Sequence, residues 1–445
     1  MPRRGAPPEL PPGPRSPGWL NAVRYLHDPL GFWTKLGSGG ADVAHVKLGP
    51  YHCYLVNTPE LIRETLAAGD EQLGRPRIYA EVGRVFGRGL FTSEGELHRR
   101  QRRTIQPLFA SDRLSEYGRV AVEAAARADG RWQPGDVVEV VEEMRSLTLA
   151  ILTESLFGGD AGNASELVHA LSSSSGMLQR FLLPGSGLLW HLPLPSTRRF
   201  ERTRKQLDSL VYGLIAERRR QADGGEDLLS LLLSAQAKRG EEVTDRQIRD
   251  EAVTFLFAGH ETLALALSWA WYLLAEHPAA EATLHSELDR VVGARLPTPA
   301  DLDRLVYAQT VFRETIRLYP PAWAMARRVR REHRVGGYTA PPGSTLFLSQ
   351  WVSHRDPRFF SDPTAFRPER WDEQPRAHLY FPFGGGPRGC IGERVAQAAG
   401  VLVLATIGRR WRLRVAAGAR PEPQPALTLK PRGGIPMILH RREGR

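Results

Sequence analysis

The residues best suited to chemistry lie in "FPFGGGPRGCIGERVA" (381–396), which contains Cys390, one of only two cysteines in the chain. Three consecutive glycines and Gly389 precede this cysteine, and glycines permit positive φ angles and close backbone approach to a flat or bulky group. Helix-forming residues follow, and the N–H groups and dipole at a helix N-terminus stabilise a thiolate. A buried structural cysteine is the simpler interpretation. The pattern favours a thiolate that faces a ligand.

A single thiolate restricts the kind of metal site that the chain can build. The second cysteine, Cys53, is distant in sequence, so multi-cysteine zinc and iron–sulfur sites are excluded. One cysteine can hold a haem iron axially, because the porphyrin supplies four of the other ligands. A phosphate-binding loop is a poor match, since Gly-Lys-Ser/Thr does not follow the glycines.

A second chemical feature is "AGHET" (258–262), a polar patch between the apolar runs "AVTFLF" and "LALALSWAWYLLA". Gly259 in a helix interior costs about 1 kcal/mol relative to alanine. A buried Glu261 costs more unless the charge is used. An amphipathic helix with a tolerated glycine is the alternative. The combination favours a helix that opens locally to admit a small ligand and water.

The stretch "FGGGPRGCIG" (383–392) resembles the haem-binding signature of the cytochrome P450 family, with a basic residue two before the cysteine and a glycine two after it. The resemblance implies haem b (iron protoporphyrin IX) with Cys390 as the axial thiolate and metal ligand. It implies that Phe383 packs beside the sulfur and that Arg388 reaches a haem propionate. Backbone N–H groups near Gly392 would donate to the sulfur and tune the iron.

The "AGHET" patch is similar to the oxygen-binding groove of the same family. Ala258 and Gly259 then belong to the cofactor-binding residues. Thr262 matches the hydroxyl that steadies dioxygen, and Glu261 matches the acidic neighbour that relays protons. These two residues are the catalytic residues that the resemblance predicts.

Two further motifs match the family. "ETIR" and "FRPERW" supply Glu314, Arg317 and Arg370, which in the family form a buried structural triad that locks the cysteine loop. Judged alone, Glu314 and Arg317 are an ordinary helical pair worth about 0.2–0.5 kcal/mol. "GELHRRQRR" places His98 and Arg102 at the spacing of two propionate ligands, although a solvated basic face is an equal alternative.

Another propionate position of the family matches Arg327 or Arg328, ahead of "GGYTAPPG". We prefer Arg327, while the register leaves both open.

The coarse pattern predicts a mainly α fold with a small β part. The resemblance makes it the cytochrome P450 fold, with a long central helix over the haem and the cysteine loop beneath. A hairpin is predicted around Gly49, and long helices from Thr244 to about Glu276 and from about Pro299 to Leu318. The last helix is expected from about Cys390. We predict a proline-rich N-terminal extension (1–30) and one monooxygenase domain (31–445).

Composition excludes several classes. The chain has 445 residues and a net charge of +11, but arginines dominate the basic residues and are scattered, which argues against a nucleic-acid binder. No apolar run reaches the roughly 18 residues of a membrane span, and the N-terminus has no secretory core. We therefore expect a cytoplasmic protein, most simply a monomer, with no nucleic acid and no membrane span.

The function that the resemblance implies is a haem-thiolate monooxygenase. It would insert one atom of O₂ into an apolar substrate that is terpenoid, fatty-acyl or polyketide-like, as in secondary metabolism. Since no flavin domain or dinucleotide fingerprint is visible, a ferredoxin and its reductase would supply electrons. The alternatives are a peroxide-driven haem oxygenase, a ring-coupling or isomerising enzyme of the same fold, and a non-enzymatic haem sensor. The Glu261–Thr262 pair argues against the peroxide-driven enzyme.

Substrate-lining residues are the weakest part of the sequence signal. The stretch "YAEVGRVFGRGLF" and an apolar segment at 176–197, predicted to be a mobile flap, are the expected roof of the pocket. Each candidate could equally belong to the core. The candidate liners are Phe86, Leu90, Phe91, Phe181, Leu182, Phe255, Trp323 and Ala324.

Overall fold

The computed structural model describes residues 9–158, 195–221, 225, 227–239, 243–372 and 379–442. The α-helices in these ranges are α1 (Gly18–His27), α2 (Pro29–Gly37), α3 (Pro59–Ala67), α4 (Ile78–Phe86), α5 (Gly95–Ile105), α6 (Leu114–Asp129), α7 (Val140–Phe157), α8 (Pro195–Arg220), α9 (Leu228–Arg239), α10 (Asp245–Glu276), α11 (Pro278–Val291), α12 (Val306–Leu318), α13 (Gln350–Ser353) and α14 (Glu393–Gly408). The strands are β1 (Val43–Leu48), β2 (Tyr51–Val56), β3 (Leu73–Gly74), β4 (Val137–Glu139), β5 (Met325–Val329), β6 (His333–Val335), β7 (Tyr338–Ala340), β8 (Thr345–Leu348), β9 (Trp411–Val415), β10 (Glu422–Pro425), β11 (Leu429–Arg432) and β12 (Pro436–Arg441).

The chain divides into two compact units. The first unit comprises Met1–Tyr79, Ala322–Ala365 and Gln374–Cys390. The second unit comprises Ala80–Pro321, Phe366–Glu373 and Ile391–Arg445.

The first unit is built on a five-stranded sheet in the order β1-β2-β8-β5-β3. Strands β1 and β2 form an antiparallel hairpin whose turn contains Gly49 at φ +59°, as the glycine-proline signal predicts. Strand β8 pairs parallel to β2, with Cys53 opposite Thr345. The buried side of this sheet packs on Ile62 and Leu66 of α3, which form part of one apolar cluster. The sheet and α3 thus give this unit its own core.

The second unit is organised by α10, a helix of 32 residues. Its N-cap is Thr244, whose hydroxyl accepts a hydrogen bond from the Gln247 N–H at 3.2 Å. A helix that is apolar on all sides must be buried. By length and composition α10 could cross a membrane, but 83% of its most apolar window is buried within the protein, as expected of a core helix. Helix α7 packs along it, and the Thr148 hydroxyl donates to the His260 carbonyl at 3.0 Å.

The predicted fold class, mainly helical with small β parts, is confirmed. The hairpin, the long helix that begins after Thr244, and the short strands near both ends of the sequence lie where the pattern places them. Two smaller sheets, β4-β12-β9 and β10-β11, belong to the second unit. The apolar flap predicted at 176–197 falls outside the described residues up to 194, and its last residues open α8.

Two predicted helix boundaries were wrong. The helix expected from Pro299 to Leu318 is two elements, a 3₁₀ helix at Pro299–Arg304 and then α12, because Leu305 leaves the helical region at φ −86° and ψ 53°. Helix α14 begins at Glu393 rather than at about Cys390. The Cys390 N–H donates to the Phe383 carbonyl at 2.9 Å, so the cysteine belongs to the preceding loop.

The N-terminal segment is more ordered than its prolines suggest. Residues after Pro17 form α1 and α2, which the sequence pattern did not reveal. Asn21 is buried and its side-chain amide donates to the Lys47 carbonyl at 3.1 Å, which attaches α1 to β1 within the first unit. The proposed division into residues 1–30 and 31–445 stays a prediction.

Candidate active site

The loop that carries Cys390 is shaped by close backbone approach. Gly386 has φ +62°, and a Cβ at this position would lie 2.1 Å from the carbonyl oxygen of Leu66 in α3. Gly384 also has positive φ (+72°) and lies against the Met325 methyl group. Side chains are therefore excluded at Gly386, as the glycine-rich sequence implies. The part of the protein that lies closest to Gly386 is the C-terminal end of α3.

The two cysteines have opposite surroundings. Cys53 is buried in β2, and burial raises the pKa of its thiol to about 12, so it stays protonated and inert. Cys390 is exposed and stands three residues before α14. A purely structural, buried role therefore fits Cys53 and not Cys390. The chemistry of the donor set, one accessible sulfur on a glycine-rich loop, fits an axial ligand of haem iron.

Arginines of the first unit gather near this loop. Arg388 forms an ion pair with Asp70, with Nε and Oδ1 3.1 Å apart. Arg327 on β5 is only 5% exposed; burial lowers the pKa of its guanidinium, and the nearby Arg75 and Arg388 lower it further, to about 10. A buried cation among other cations is stabilised by an added carboxylate. The haem propionates fit that requirement.

The alternative propionate residue, Arg328, is adjacent to Arg327 on β5 and so faces the other side of the sheet. Arg328 is partly exposed where Arg327 is buried. The choice of Arg327 over Arg328 at the propionate stays a prediction.

In the second unit, α10 exposes one small face. Between Ile248 and Leu274 every residue is buried except Tyr272 and three others, Ala258, Gly259 and Thr262. The spacing of these three residues places them on one side of the helix, and we call them the open face of α10. The Thr262 hydroxyl lies on this face and donates to the Ala258 carbonyl at 2.7 Å.

The backbone of α10 stays α-helical through 258–262, in contrast to the local opening that the sequence predicts. What is accessible is the helix surface. Gly259 has a packing reason as well, since a Cβ there would lie 2.5 Å from a methyl carbon of Leu152 in α7. The glycine thus allows α7 and α10 to approach closely.

Glu261, next to the open face, is held by two cations. The carboxylate lies 3.1 Å from Arg145 Nε and 2.8 Å from Lys430 Nζ, and its residue is 1% exposed. Burial alone would raise the pKa of Glu261, but Lys430 and Arg145 outweigh it and lower the pKa to about 2. Glu261 is therefore ionised at every working pH. Its partners are more than 100 residues away in sequence, so no local motif identifies them. The sequence indicates only that a buried carboxylate needs a cation.

Glu314, Arg317 and Arg370 are brought together in one buried network. Glu314 accepts from Arg317 Nε and from Arg370 Nε, each at 2.8 Å, and both members of the helical pair are 0% exposed. The indole N–H of Trp371 adds a third donor at 3.0 Å. Sequence reasoning missed Trp371, although it directly follows Arg370. A surface ion pair is thus excluded for Glu314 and Arg317.

Comparison with known proteins gives the family. The family model described as Cytochrome P450 matches residues 11–437, nearly the whole chain. The chain belongs to the cytochrome P450 family. It is therefore a P450 monooxygenase whose cofactor is haem b.

Several bacterial relatives align over most of this P450. Cyclooctatin synthase of Streptomyces melanosporofaciens is 37% identical over 436 residues, 95% of each chain. Cyclooctat-9-en-7-ol 5-monooxygenase of the same organism is 37% identical over 405 residues, 88% of this chain and 86% of its own. Pentalenene oxygenase of Streptomyces avermitilis is 30% identical over 416 residues, 91% of each chain.

Four predicted cofactor residues of this P450 remain, two on α5 and two beside Cys390. His98 is buried and Arg102 is partly exposed, one helical turn apart on one face. Phe383 and Gly392 flank the cysteine in the loop, and Gly392 is the N-cap of α14. Their roles toward haem stay predictions.

The candidate substrate liners divide into two groups. Phe86 packs edge-to-face on Phe91, with ring centroids 6.1 Å apart, close to Leu90 in the chain. Phe255 stacks on Phe109 at 5.6 Å, and Trp323, beside Ala324, packs on Phe347 at 6.1 Å. Phe86, Phe255 and Trp323 are all buried, so each of these rings has core partners within its own unit. Phe181 and Leu182 lie outside the described residues.

We predict that Glu261→Gln destabilises the protein by about 3–5 kcal/mol at pH 7, because Arg145 and Lys430 then lose their buried carboxylate. The folded-state pKa of Glu261 is lowered, so its contribution is complete above about pH 4.5 and is lost as the pH falls toward 2. The difference between variant and wild type should be constant from pH 8 to 5 and shrink below that, as measured by denaturant unfolding.

The matched control is Glu276→Gln, an exposed glutamate at the end of the same helix. Its effect should stay within about 0.5 kcal/mol. Equal stability of Glu261→Gln and wild type at pH 7 would contradict the assigned ion pairs.

Proposed function

We propose that this P450 uses Cys390 as the axial thiolate of its haem and oxidises a terpenoid substrate. The observation that carries the first part is the exposed Cys390 thiol on a loop in which Gly386 leaves no room for a side chain. The second part is supported by the relatives, two of which are named for the oxidation of pentalenene and of cyclooctat-9-en-7-ol.

When bound, the haem supplies the reductive activation of dioxygen and the transfer of one oxygen atom, which electron donation from a thiolate favours. The chain's own task is to hold the cofactor, admit the substrate and deliver protons. For the cofactor carboxylates we propose Arg327 and Arg388 in the first unit, and His98 and Arg102 in the second. Ala258 and Gly259, which carry no polar side chain, would leave room for the macrocycle at the open face.

Proton delivery is proposed to run through Thr262. Its hydroxyl lies on the accessible face of α10 and is held by the Ala258 carbonyl, so its oxygen can accept from water and its proton can be passed on. Glu261 is ionised and bound to Arg145 and Lys430. It can therefore relay protons only by accepting hydrogen bonds from water or by leaving one of these cations. We propose that the network keeps Glu261 charged and ready to attract protons.

Electrons are proposed to come from a ferredoxin and its reductase, with the protein acting as a cytoplasmic monomer. The net charge of +11 suits an acidic partner. Arg394 at the start of α14 is exposed and can steer such a partner. Arg388 contributes little, since its side chain is 5% exposed and paired with Asp70.

The terpenoid proposal predicts a clear order in ligand binding. Cyclic terpenes should shift the Soret absorbance of the ferric protein at micromolar concentration, because a pocket bordered by an aromatic side chain such as Phe91 favours rigid apolar molecules. Linear fatty acids and macrolides of similar size are the comparison. If a fatty acid or a macrolide binds more tightly than every terpene tested, the proposed substrate class is contradicted.

Cys390→Ser should abolish the red-shifted absorbance band of the reduced carbon-monoxide complex, since that band requires a thiolate ligand. The matched control is Cys53→Ala, which removes the other sulfur of the chain and should leave the band in place. Persistence of the band in Cys390→Ser would exclude Cys390 as the ligand.

Thr262→Ala should release a larger share of the reducing equivalents as hydrogen peroxide, because the hydroxyl that passes protons is lost. Thr262→Ser keeps the hydroxyl and should stay coupled. The measurement compares NADH consumed, peroxide formed and product formed with a surrogate ferredoxin system. Full coupling in Thr262→Ala would disprove the role given to the hydroxyl.

A further inference from the structure

The residues that connect α4 to α5, "GRGLFTS" at 87–93, are bound to α10 by two adjacent carboxyl groups. The backbone N–H of Arg88 donates to Asp250 Oδ2 at 2.8 Å. The backbone N–H of Leu90 donates to Glu251 Oε2 at 2.9 Å. Because both donors belong to the main chain, these bonds fix the path of the segment rather than one side chain. We call residues 87–93 the clamped segment.

Glycines let the clamped segment lie directly on α10. Gly87 has φ +66°, and a Cβ there would lie 2.0 Å from the Asp250 carboxylate. At Gly89 a Cβ would lie 2.3 Å from the Thr254 hydroxyl and 2.5 Å from the Asp250 carbonyl. Neither position can accept a side chain without moving the segment away. The two glycines and the two acids therefore form one matched contact.

Other bonds hold the start of the clamped segment and the end of α4. Arg249 donates to the Val85 carbonyl at the end of α4 and to Asp250 Oδ1, each at 2.9 Å. Gln101 of α5 donates from its side-chain amide to the Arg88 carbonyl at 2.7 Å. The start of the segment is therefore bound by side chains from both α5 and α10.

Glu251 is an unusual partner for this role because it is 0% exposed. Within the described residues its Oε1 has no hydrogen-bond partner. Burial raises the pKa of Glu251 to about 8, with Asp250 adding to the effect, so the side chain is neutral at pH 7. A neutral acceptor for one N–H is a task that glutamine can also perform.

The clamped segment lies close to the open face of α10. Glu251 precedes Ala258 by seven residues and Thr262 by eleven, so all three share one side of the helix. The separation from Ala258 is about 10 Å at 1.5 Å per residue. The segment and the last residue of α4 carry Phe86, Leu90 and Phe91, and the Phe86 ring also packs on Phe257 of α10 at 4.9 Å.

We propose that Asp250 and Glu251 are positioning residues, which fix the clamped segment as a wall of the substrate chamber and so set which apolar molecules the enzyme accepts. The proposal rests on the proposed function in one respect, that the open face of α10 is the substrate side. The two carboxyl groups act through Leu90 and Phe91 and do not contact the substrate themselves.

The test compares wild type, Glu251→Leu and Glu251→Gln as haem-loaded proteins. Amide hydrogen exchange of residues 87–93 reports whether the segment is held. The ratio of the dissociation constants of 4-phenylimidazole and imidazole reports whether the segment forms a wall, because the two ligands differ only in an aryl ring. Imidazole needs only access to the iron, so the ratio is interpretable even where the terpenoid or thiolate proposal fails.

We expect Glu251→Leu to speed exchange of the Leu90 amide and to weaken 4-phenylimidazole about tenfold relative to imidazole, as loss of part of an aryl contact would. Glu251→Gln should resemble wild type in both measurements. Gly89→Ala disturbs the same contact from the side of the segment and should act like Glu251→Leu. If Glu251→Leu does not fold, Gly89→Ala provides the same test.

Three results would overturn the proposal. The first is faster amide exchange of residues 87–93 while the ratio of the 4-phenylimidazole and imidazole dissociation constants stays within twofold of wild type. The contact would then stabilise the fold without shaping the substrate chamber. The second is unchanged exchange in both Glu251→Leu and Gly89→Ala. The third is a Glu251→Gln protein that behaves like Glu251→Leu, which would show that a hydrogen-bond acceptor at position 251 is not what holds the segment.

Discussion

The proposed bond between the Cys390 sulfur and haem iron is the interaction on which the rest of the site depends. A porphyrin leaves one position on that side of the iron, and a single thiolate must fill it from a loop that no side chain obstructs. The positive φ of Gly386 and its close approach to Leu66 show how tightly the loop is built. The roles proposed for the other site residues presuppose this bond.

The second constraint is that buried charged side chains need partners of opposite charge. In this protein two buried carboxylates are paired with arginine and lysine side chains. Glu314 is 0% exposed and accepts bonds from Arg317 and Arg370, while Glu261 is held by Arg145 and Lys430. Arg327 differs, since the charges nearest to it include the guanidinium groups of Arg75 and Arg388, which lower its pKa. A cofactor that brings two carboxylates would reverse that penalty. Haem binding and the stability of the first unit should therefore be coupled.

Local motifs could be predicted from the sequence because their residues are contiguous or share a helix. The cysteine loop, the "AGHET" patch and the Glu314–Arg317 pair are of this kind, and their order along the chain identified the family. Contacts between distant segments could not be predicted. Lys430 follows Glu261 by 169 residues, and no periodicity links Asp70 to Arg388. Asp250 and Glu251 were not singled out either, because their backbone donors lie 162 and 161 residues earlier in the chain.

The predicted helix boundaries were wrong where a single residue departs from the helical pattern of its neighbours. Leu305 breaks a helix that its neighbours would continue, and the bond from the Cys390 N–H to Phe383 delays the start of α14. The prolines before Gly18 hid α1, whose buried Asn21 is satisfied by β1. In each case a tertiary hydrogen bond or a single backbone angle determines where the helix begins or ends. Neither can be read from composition or residue spacing.

The most direct measurement of the central claim is resonance Raman spectroscopy of the ferric Cys53→Ala protein grown with ³⁴S-labelled cysteine. In this protein Cys390 is the one remaining cysteine. If its sulfur binds the iron, the iron–sulfur stretching band should move to lower frequency on labelling, because the heavier isotope increases the reduced mass. Absence of any isotope-sensitive band in the haem-loaded protein would contradict thiolate ligation by Cys390.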